Sequence, residues 1–266
     1  MHPMLNTAVR AARRAGIIIV KAIEKREYLQ VDIKGKNDFV SDIDRKAEAA
    51  IIDILRKAYP NHAILAEESG AISGTDYQWI IDPLDGTTNF LHGHPQFSVS
   101  IGLKYQNQLE QAVIYDPLRD ELYTASRGMG AFLNERSRLR VSHQNGLTGA
   151  LLGTGFPFRQ PEHIDTYLET FKALFDQVAD VRRAGSVALD LAYVAAGRLD
   201  GFWELGLYQW DIAAGALLVQ EAGGFITDFS GGNDYLDTGN IVVGNPKVHK
   251  GIVQTIQPYL SEALKK

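Results

Sequence analysis

At 266 residues the chain is long enough to bury a sizeable core, as one large domain or two modest ones. An apolar fraction of 45% with 22% charged residues excludes a disordered or fibrous polymer, and a net charge of −5 argues against strong non-specific nucleic-acid binding, which needs a basic surface. The absence of cysteine excludes disulfides, thiolate nucleophiles and zinc–sulfur sites, so any metal must be held by carboxylate, carbonyl, hydroxyl or imidazole.

In chain order, residues 1–25 read as an amphipathic helix. Their longest apolar run, 16–20, is too short for a membrane span or an export signal, so no membrane partner is expected and a cytoplasmic location is the default. A polar stretch at 34–38 precedes a helix over about 44–59, with Ala47, Ile51, Ile54, Leu55 and Ala58 on one face and Ser41 and Asp44 at capping-box spacing. Segments 63–66 and 78–81 read as short buried strands and 97–105 as a half-exposed one. Segments 110–115 and 121–126 flank a proline-containing hairpin turn. Gly128-Met129-Gly130 is backbone punctuation, because it lacks the rest of a nucleotide-binding fingerprint. Helices follow at 163–179, 186–196 and 211–222, the last ended by Gly223-Gly224. Strands at 201–205, 225–228 and 241–243 and a final helix from Pro246 complete an α/β alternation. With no repeat and no long linker, residues 1–266 read as one layered α/β unit with a soft subdivision near 140–150.

Three acidic features each end an apolar element: Glu67-Glu68, Asp82 with Asp85, and Asp211. Taken singly they are solvated turns or helix caps. The stretch DPLDGTTNF at 82–90 asks for more. Proline fixes the backbone after Asp82 and Gly86 permits a sharp turn, so that Asp85 and Asp82 face one point. Two bare carboxylates so close repel, and a hard cation such as Mg²⁺, with Mn²⁺ as a substitute, resolves the conflict with oxygen ligands alone. Gly86-Thr87-Thr88 then begins a helix or turn whose free N–H groups point at an anion. The seven histidines form no spaced ligand set, and Trp79 and Trp210 are packing anchors.

The segments AEES (66–69), WIIDPLDGTTNF (79–90) and WDIAAG (210–215) resemble, in order and spacing, the signature motifs of the inositol monophosphatase family. The likeness extends through MHPMLNTAVRAAR at the start, KGKNDFVSDID (34–44) and RRAGSVALDLAYVAAGRLDGFWE (182–204). It implies a layered αβαβα sandwich of the inositol monophosphatase and fructose-1,6-bisphosphatase type. It implies a Mg²⁺-dependent, lithium-sensitive phosphomonoesterase acting on myo-inositol 1-phosphate or related polyol phosphates, with fructose 1,6-bisphosphate or NADP as alternatives. By resemblance, Glu67, Asp82 and the carbonyl of Leu84 hold a first ion, and Asp82, Asp85 and Asp211 a second. Two or three ions are expected, with Lys34 or Lys36 near the third. Attacking water is activated by Thr87 bonded to Asp44, or by Glu67. The N–H groups of Gly86 and Thr87 take phosphate oxygens beside Leu84, Asp85 and Asp211, while Arg182, Gly185, Ser186, Val187 and Glu204 line the alcohol side. A homodimer is the family's habit. One bacterial branch is associated with RNA polymerase and Nus factors in ribosomal RNA antitermination, and Arg183 is the candidate there for a subunit or partner contact; both functions can coexist in one chain.

Overall fold

The computed structural model describes residues 2–23, 31–35 and 38–265, with backbone alone for 31–41. The chain begins with α1 (Pro3–Ile23), a hairpin of β1 (Val31–Gly35) and β2 (Asp38–Ser41), then α2 (Asp42–Ala58). There follow β3 (His62–Ala66), β4 (Gly70–Ile72), β5 (Thr75–Asp85), the short α3 (Thr87–His92), and a meander of β6 (Ser98–Tyr105), β7 (Gln108–Asp116), β8 (Glu121–Ser126), β9 (Gly130–Leu133) and β10 (Ser137–Arg138). The second half runs β11 (Leu151–Thr154), α4 (Ile164–Phe175), β12 (Asp180–Arg182), α5 (Val187–Ala195), β13 (Gly201–Glu204) and α6 (Gln209–Glu221). It ends with β14 (Phe225–Thr227), the single turn α7 (Tyr235–Thr238), β15 (Ile241–Gly244) and α8 (Pro246–Ile256).

Among the described residues, two large sheets divide the chain near residue 140. The first is eight-stranded, in the order β10-β9-β8-β7-β6-β5-β3-β4, and the second five-stranded, in the order β12-β11-β13-β15-β14. Each is mixed: β3 runs parallel to β5, and β11 parallel to both β12 and β13, within otherwise antiparallel pairings.

Three apolar layers stack the sheets between helices. The first lies between α1 and α2 and one face of the large sheet, where Ala8, Ala12, Ala15 and Ile19 recur at helical spacing against Trp79, Ile81, Ile101 and Val113. The second lies between the sheets and is filled by α5 and α6, with Ile80, Ala112 and Ile114 facing them from one side and Phe202, Ile241 and Val243 from the other. The third seats α4 and α8 on the outer face of the small sheet, against Leu152, Trp203 and Val242. Neighbouring residues such as Ile80 and Ile81 belong to different layers because strand side chains alternate. Each fully buried Leu, Ile or Phe contributes roughly 1.5–3 kcal/mol relative to exposure.

The order helix, sheet, helix, sheet, helix is the αβαβα arrangement. Segment 97–105, expected half-exposed, is β6, buried from Ser98 to Leu103 because helices cover both faces of its sheet. The helix expected over 163–179 stops at Phe175, since Asp180–Arg182 pairs as an edge strand with β11. Gly128-Met129-Gly130 is the turn of the β8–β9 hairpin. The side chains of Ser41 and Lys34, and all of Lys36, lie outside the described residues, so the capping box and the loop lysine do too.

Candidate active site

Strand β5 does not end at Ile81. It continues to Asp85 through a bulge: Asp82 pairs with Ser100 and Asp85 with Ser98, so three steps on β5 oppose two on β6. Without the bulge, residues three apart on a strand point to opposite faces; the extra residue returns Asp85 to the face of Asp82. Both carboxylates thus point into the layer between the sheets, where Asp211 arrives on the first turn of α6. One oxygen from each of Asp82, Asp85 and Asp211 lies within 4.8 Å of the others, and all three residues are buried. Gly86 then turns the chain into α3 at φ 96°, and a side chain there would approach the carbonyl of Gln96 to 2.9 Å, so glycine is required twice over.

Each acid is positioned by its own hydrogen bonds. Asp82 accepts from the N–H of Leu84 at 3.0 Å. Asp85 accepts from the Ser186 hydroxyl and from the Ala188 N–H at the start of α5, which ties the large sheet to the second half of the chain. Asp211 accepts from the Tyr208 N–H at 2.7 Å and from Arg159, whose Nη1 lies 3.0 Å away. Glu67, half-buried just past β3, sits on a turn that the buried Glu48 of α2 holds by accepting the N–H groups of Glu68 and Ser69 at 2.8 and 2.9 Å. The Thr87 hydroxyl is 2.7 Å from the fully buried Asp44 carboxylate and 3.0 Å from the carbonyl of Leu84. Asn89 donates to the carbonyls of Gln96, Ala184 and Gly185, clamping the loop before α5 against α3.

These groups surround one cavity of about 580 Å³, lined by Glu67, Asp82, Asp85, Thr87, Gly185 and Glu204 among others. Of the residues singled out in the sequence, Leu84, Gly86, Ser186, Val187 and Asp211 also line it, while Asp44 stands behind Thr87. Arg182 does not. Along β12 Asp180 and Arg182 share a face, and the Arg182 guanidinium is held by Asp180 at 2.5 Å, in solvent. Arg183, on the opposite face, lines the cavity and lies over the Phe156 ring at 5.3 Å. Of the two adjacent arginines, Arg183 and not Arg182 lines the cavity. Reading sequence alone also passed over Arg159, Asn89 and Asp190, which line the same cavity. A signal for Asp190 existed, as a lone acid within the otherwise apolar α5; Arg159, in an irregular loop, had none.

Burial first, then repulsion from Glu67, Asp85 and Asp211, holds Asp82 well above the ordinary carboxyl range. Burial outweighs the Ser186 hydrogen bond and pushes Asp85 up to about 7. Burial and then Asp211 push Glu204 up to about 8. The mutually repelling oxygens of Asp82, Asp85 and Asp211 form an all-carboxylate donor set suited to a hard divalent cation, which would relieve the repulsion on binding. A second depression of about 650 Å³, walled by Tyr59, His62, Tyr77 and Tyr105, carries Asp76 as its one acid and lacks this chemistry.

Residues 1–261 match the model of the inositol monophosphatase family. Over the full length of both chains the protein is 57% identical to a protein of Pseudomonas aeruginosa named Nus factor SuhB, and 55% identical to the protein of that name from Escherichia coli K12. The crystal structure of the extragenic suppressor protein suhB from Bartonella henselae superposes with a TM-score of 0.93 at 46% identity, covering 96% of this chain and 99% of that one. An IMPase from Thermotoga maritima matches at a TM-score of 0.88 and 34% identity, over 97% of this chain and 98% of that one. Motifs, layer order and full-length likeness coincide, and the chain belongs to the inositol monophosphatase family.

Proposed function

We propose that the protein is a Mg²⁺-dependent phosphomonoesterase that hydrolyses myo-inositol 1-phosphate and related polyol phosphates. The observation that carries this reading is the trio Asp82, Asp85 and Asp211, buried within 4.8 Å of one another beside the Gly86–Thr88 turn. Glu67, Asp82 and the Leu84 carbonyl would hold one Mg²⁺, and Asp82, Asp85 and Asp211 another. Bound there, the ions neutralise phosphate charge and lower the pKa of water, which a phosphate monoester needs because its uncatalysed hydrolysis is among the slowest known.

The chain's own residues do the rest. The N–H groups of Gly86 and Thr87 open a turn with no intrahelical partners and take phosphate oxygens. Thr87 Oγ1, backed by Asp44 at 2.7 Å, accepts the hydrogen of the attacking water and passes its own to the carboxylate. Glu67 is the alternative base, half-buried at the cavity wall. Glu204 accepts hydroxyl groups of the departing alcohol, and the wall beside it is cut back: a side chain at Gly155 would come within 2.0 Å of its carboxyl.

Phosphate release from both enantiomers of inositol 1-phosphate, fructose 1,6-bisphosphate and NADP, with and without Mg²⁺ and with added Li⁺, tests the reading. Mg²⁺-dependent, Li⁺-inhibited release, highest with inositol 1-phosphate, is expected; no Mg²⁺-dependent release from any of them sinks it. The family resemblance also supports a homodimer.

A second reading is favoured by the full-length relatives at 51–57% identity that carry the name Nus factor SuhB. In it the protein also serves in the cytoplasm as a partner of RNA polymerase and Nus factors in ribosomal RNA antitermination. The two roles separate in cells lacking the native protein: restoration of antitermination by Asp82→Asn makes the binding role independent of catalysis, and failure ties the two together.

A further inference from the structure

Asp190 sits on the first turn of α5 between Leu189 and Leu191, which are fully buried, and is itself 2% exposed. A carboxyl in that position is expected to find a protein partner, because an unsatisfied buried polar group is costly and rare. Asp190 has none: among the described residues no donor meets its side chain, and Arg183, whose charge acts on it, makes no ion pair with it. What its carboxyl does face is the cavity, whose wall it forms together with Glu204, Gly155, Phe156 and Val187. It also lies outside the compact trio of Asp82, Asp85 and Asp211, so it is not a fourth member of the cation-binding group. An apolar residue would fill the same helix position at no desolvation cost, as Leu189, Leu191 and Ala192 do around it.

From this geometry we infer that Asp190 is a specificity-determining residue that accepts a hydrogen bond from a hydroxyl of the departing alcohol, acting beside Glu204 so that two carboxyls together read two hydroxyl groups of a polyol. The inference rests on the phosphomonoesterase reading and narrows its substrate class to phosphates of alcohols that carry further hydroxyls near the ester. A simple aryl phosphate offers Asp190 nothing to accept from.

The experiment measures kcat and KM for inositol 1-phosphate and for 4-nitrophenyl phosphate on the wild type, Asp190→Asn and Asp190→Leu, with Mg²⁺ half-saturation and circular dichroism recorded on each. The expected result is a fall of about tenfold in the ratio of kcat/KM between polyol and aryl phosphate, carried by KM, with the apolar variant at least as affected as the amide. Loss of both activities in parallel in the folded variants, a shift in Mg²⁺ half-saturation, or an unchanged ratio would each overturn the assignment. A wild type that releases phosphate from neither compound overturns the underlying phosphatase reading instead, which the active wild type of the other outcomes keeps separate.

Discussion

Asp82 accepts one backbone hydrogen bond and is otherwise surrounded by Glu67, Asp85 and Asp211, so in the metal-free protein it is a source of instability. Its carboxyl is raised above the unfolded value, which means that ionising it costs folding free energy as pH rises through the folded value. Asp82→Asn removes that charge. Phosphate release is expected to fall by about a thousandfold or more, as several kcal/mol of charge stabilisation disappears, while the melting temperature of the metal-free variant equals or exceeds the wild type's. A variant that is both active and less stable contradicts the proposed ligand role. Asp85 adds a pH dependence. With its carboxyl at about 7, the empty site still holds a proton in mildly acidic buffer, and a cation must displace it. Apparent Mg²⁺ affinity should therefore rise from about pH 6 to about pH 8 and then level off, and calorimetry in two buffers of different ionisation enthalpy should register the released proton near pH 6.5. Identical heats in both buffers would contradict it. At this scale the sequence was informative about residue types, since cysteine-free acids beside a glycine turn leave few chemistries. It could not tell Arg182 from Arg183, because a strand of three residues has too little alternation to reveal which side chain faces inward.

The element that makes the site is the bulge in β5. Pro83 cannot donate to a ladder, and the chain accommodates it where Pro83 and Leu84 of β5 face the single residue Val99 of β6. The turn expected straight after Ile81 is therefore a continued strand, and the difference matters because β6 keeps both aspartates rigid. Opposite it, α5 and α6 are apolar nearly all round, which fits helices with a sheet on each side. Their periodicity marked them as helices but not as the central layer, since a fully buried helix has no polar face to give its orientation away. Leu191 lies at 0% exposure in that layer. Leu191→Ala is expected to cost about 2–5 kcal/mol by loss of contacts and an unfilled cavity, read from the urea midpoint. A loss under about 1 kcal/mol means that the helices close over the gap.

On the scale of the whole molecule, the candidate ligands come from separate parts of the chain: Glu67 from the turn after β3, Asp82 and Asp85 from β5 of the large sheet, and Asp211 from α6 between the two sheets. Any cation that binds all of them joins the two halves. At a hundredfold excess over its dissociation constant, Mg²⁺ is expected to raise the unfolding free energy by about 2.7 kcal/mol, with the Asp82→Asn protein gaining less. An unchanged melting temperature on adding Mg²⁺ would exclude binding at this site. The sequence by itself determined the kinds of element, their order, and the acids and glycines that bear the chemistry, because periodicity, turn residues and motif spacing are local properties of the chain. Only the tertiary structure decided that Asp190 and Arg159 share the cavity, that Arg183 rather than Arg182 lines it, and that a bulge aims Asp82 and Asp85 the same way. Those are matters of strand register and layer packing, which depend on contacts between residues far apart in the chain and leave no mark on the local pattern.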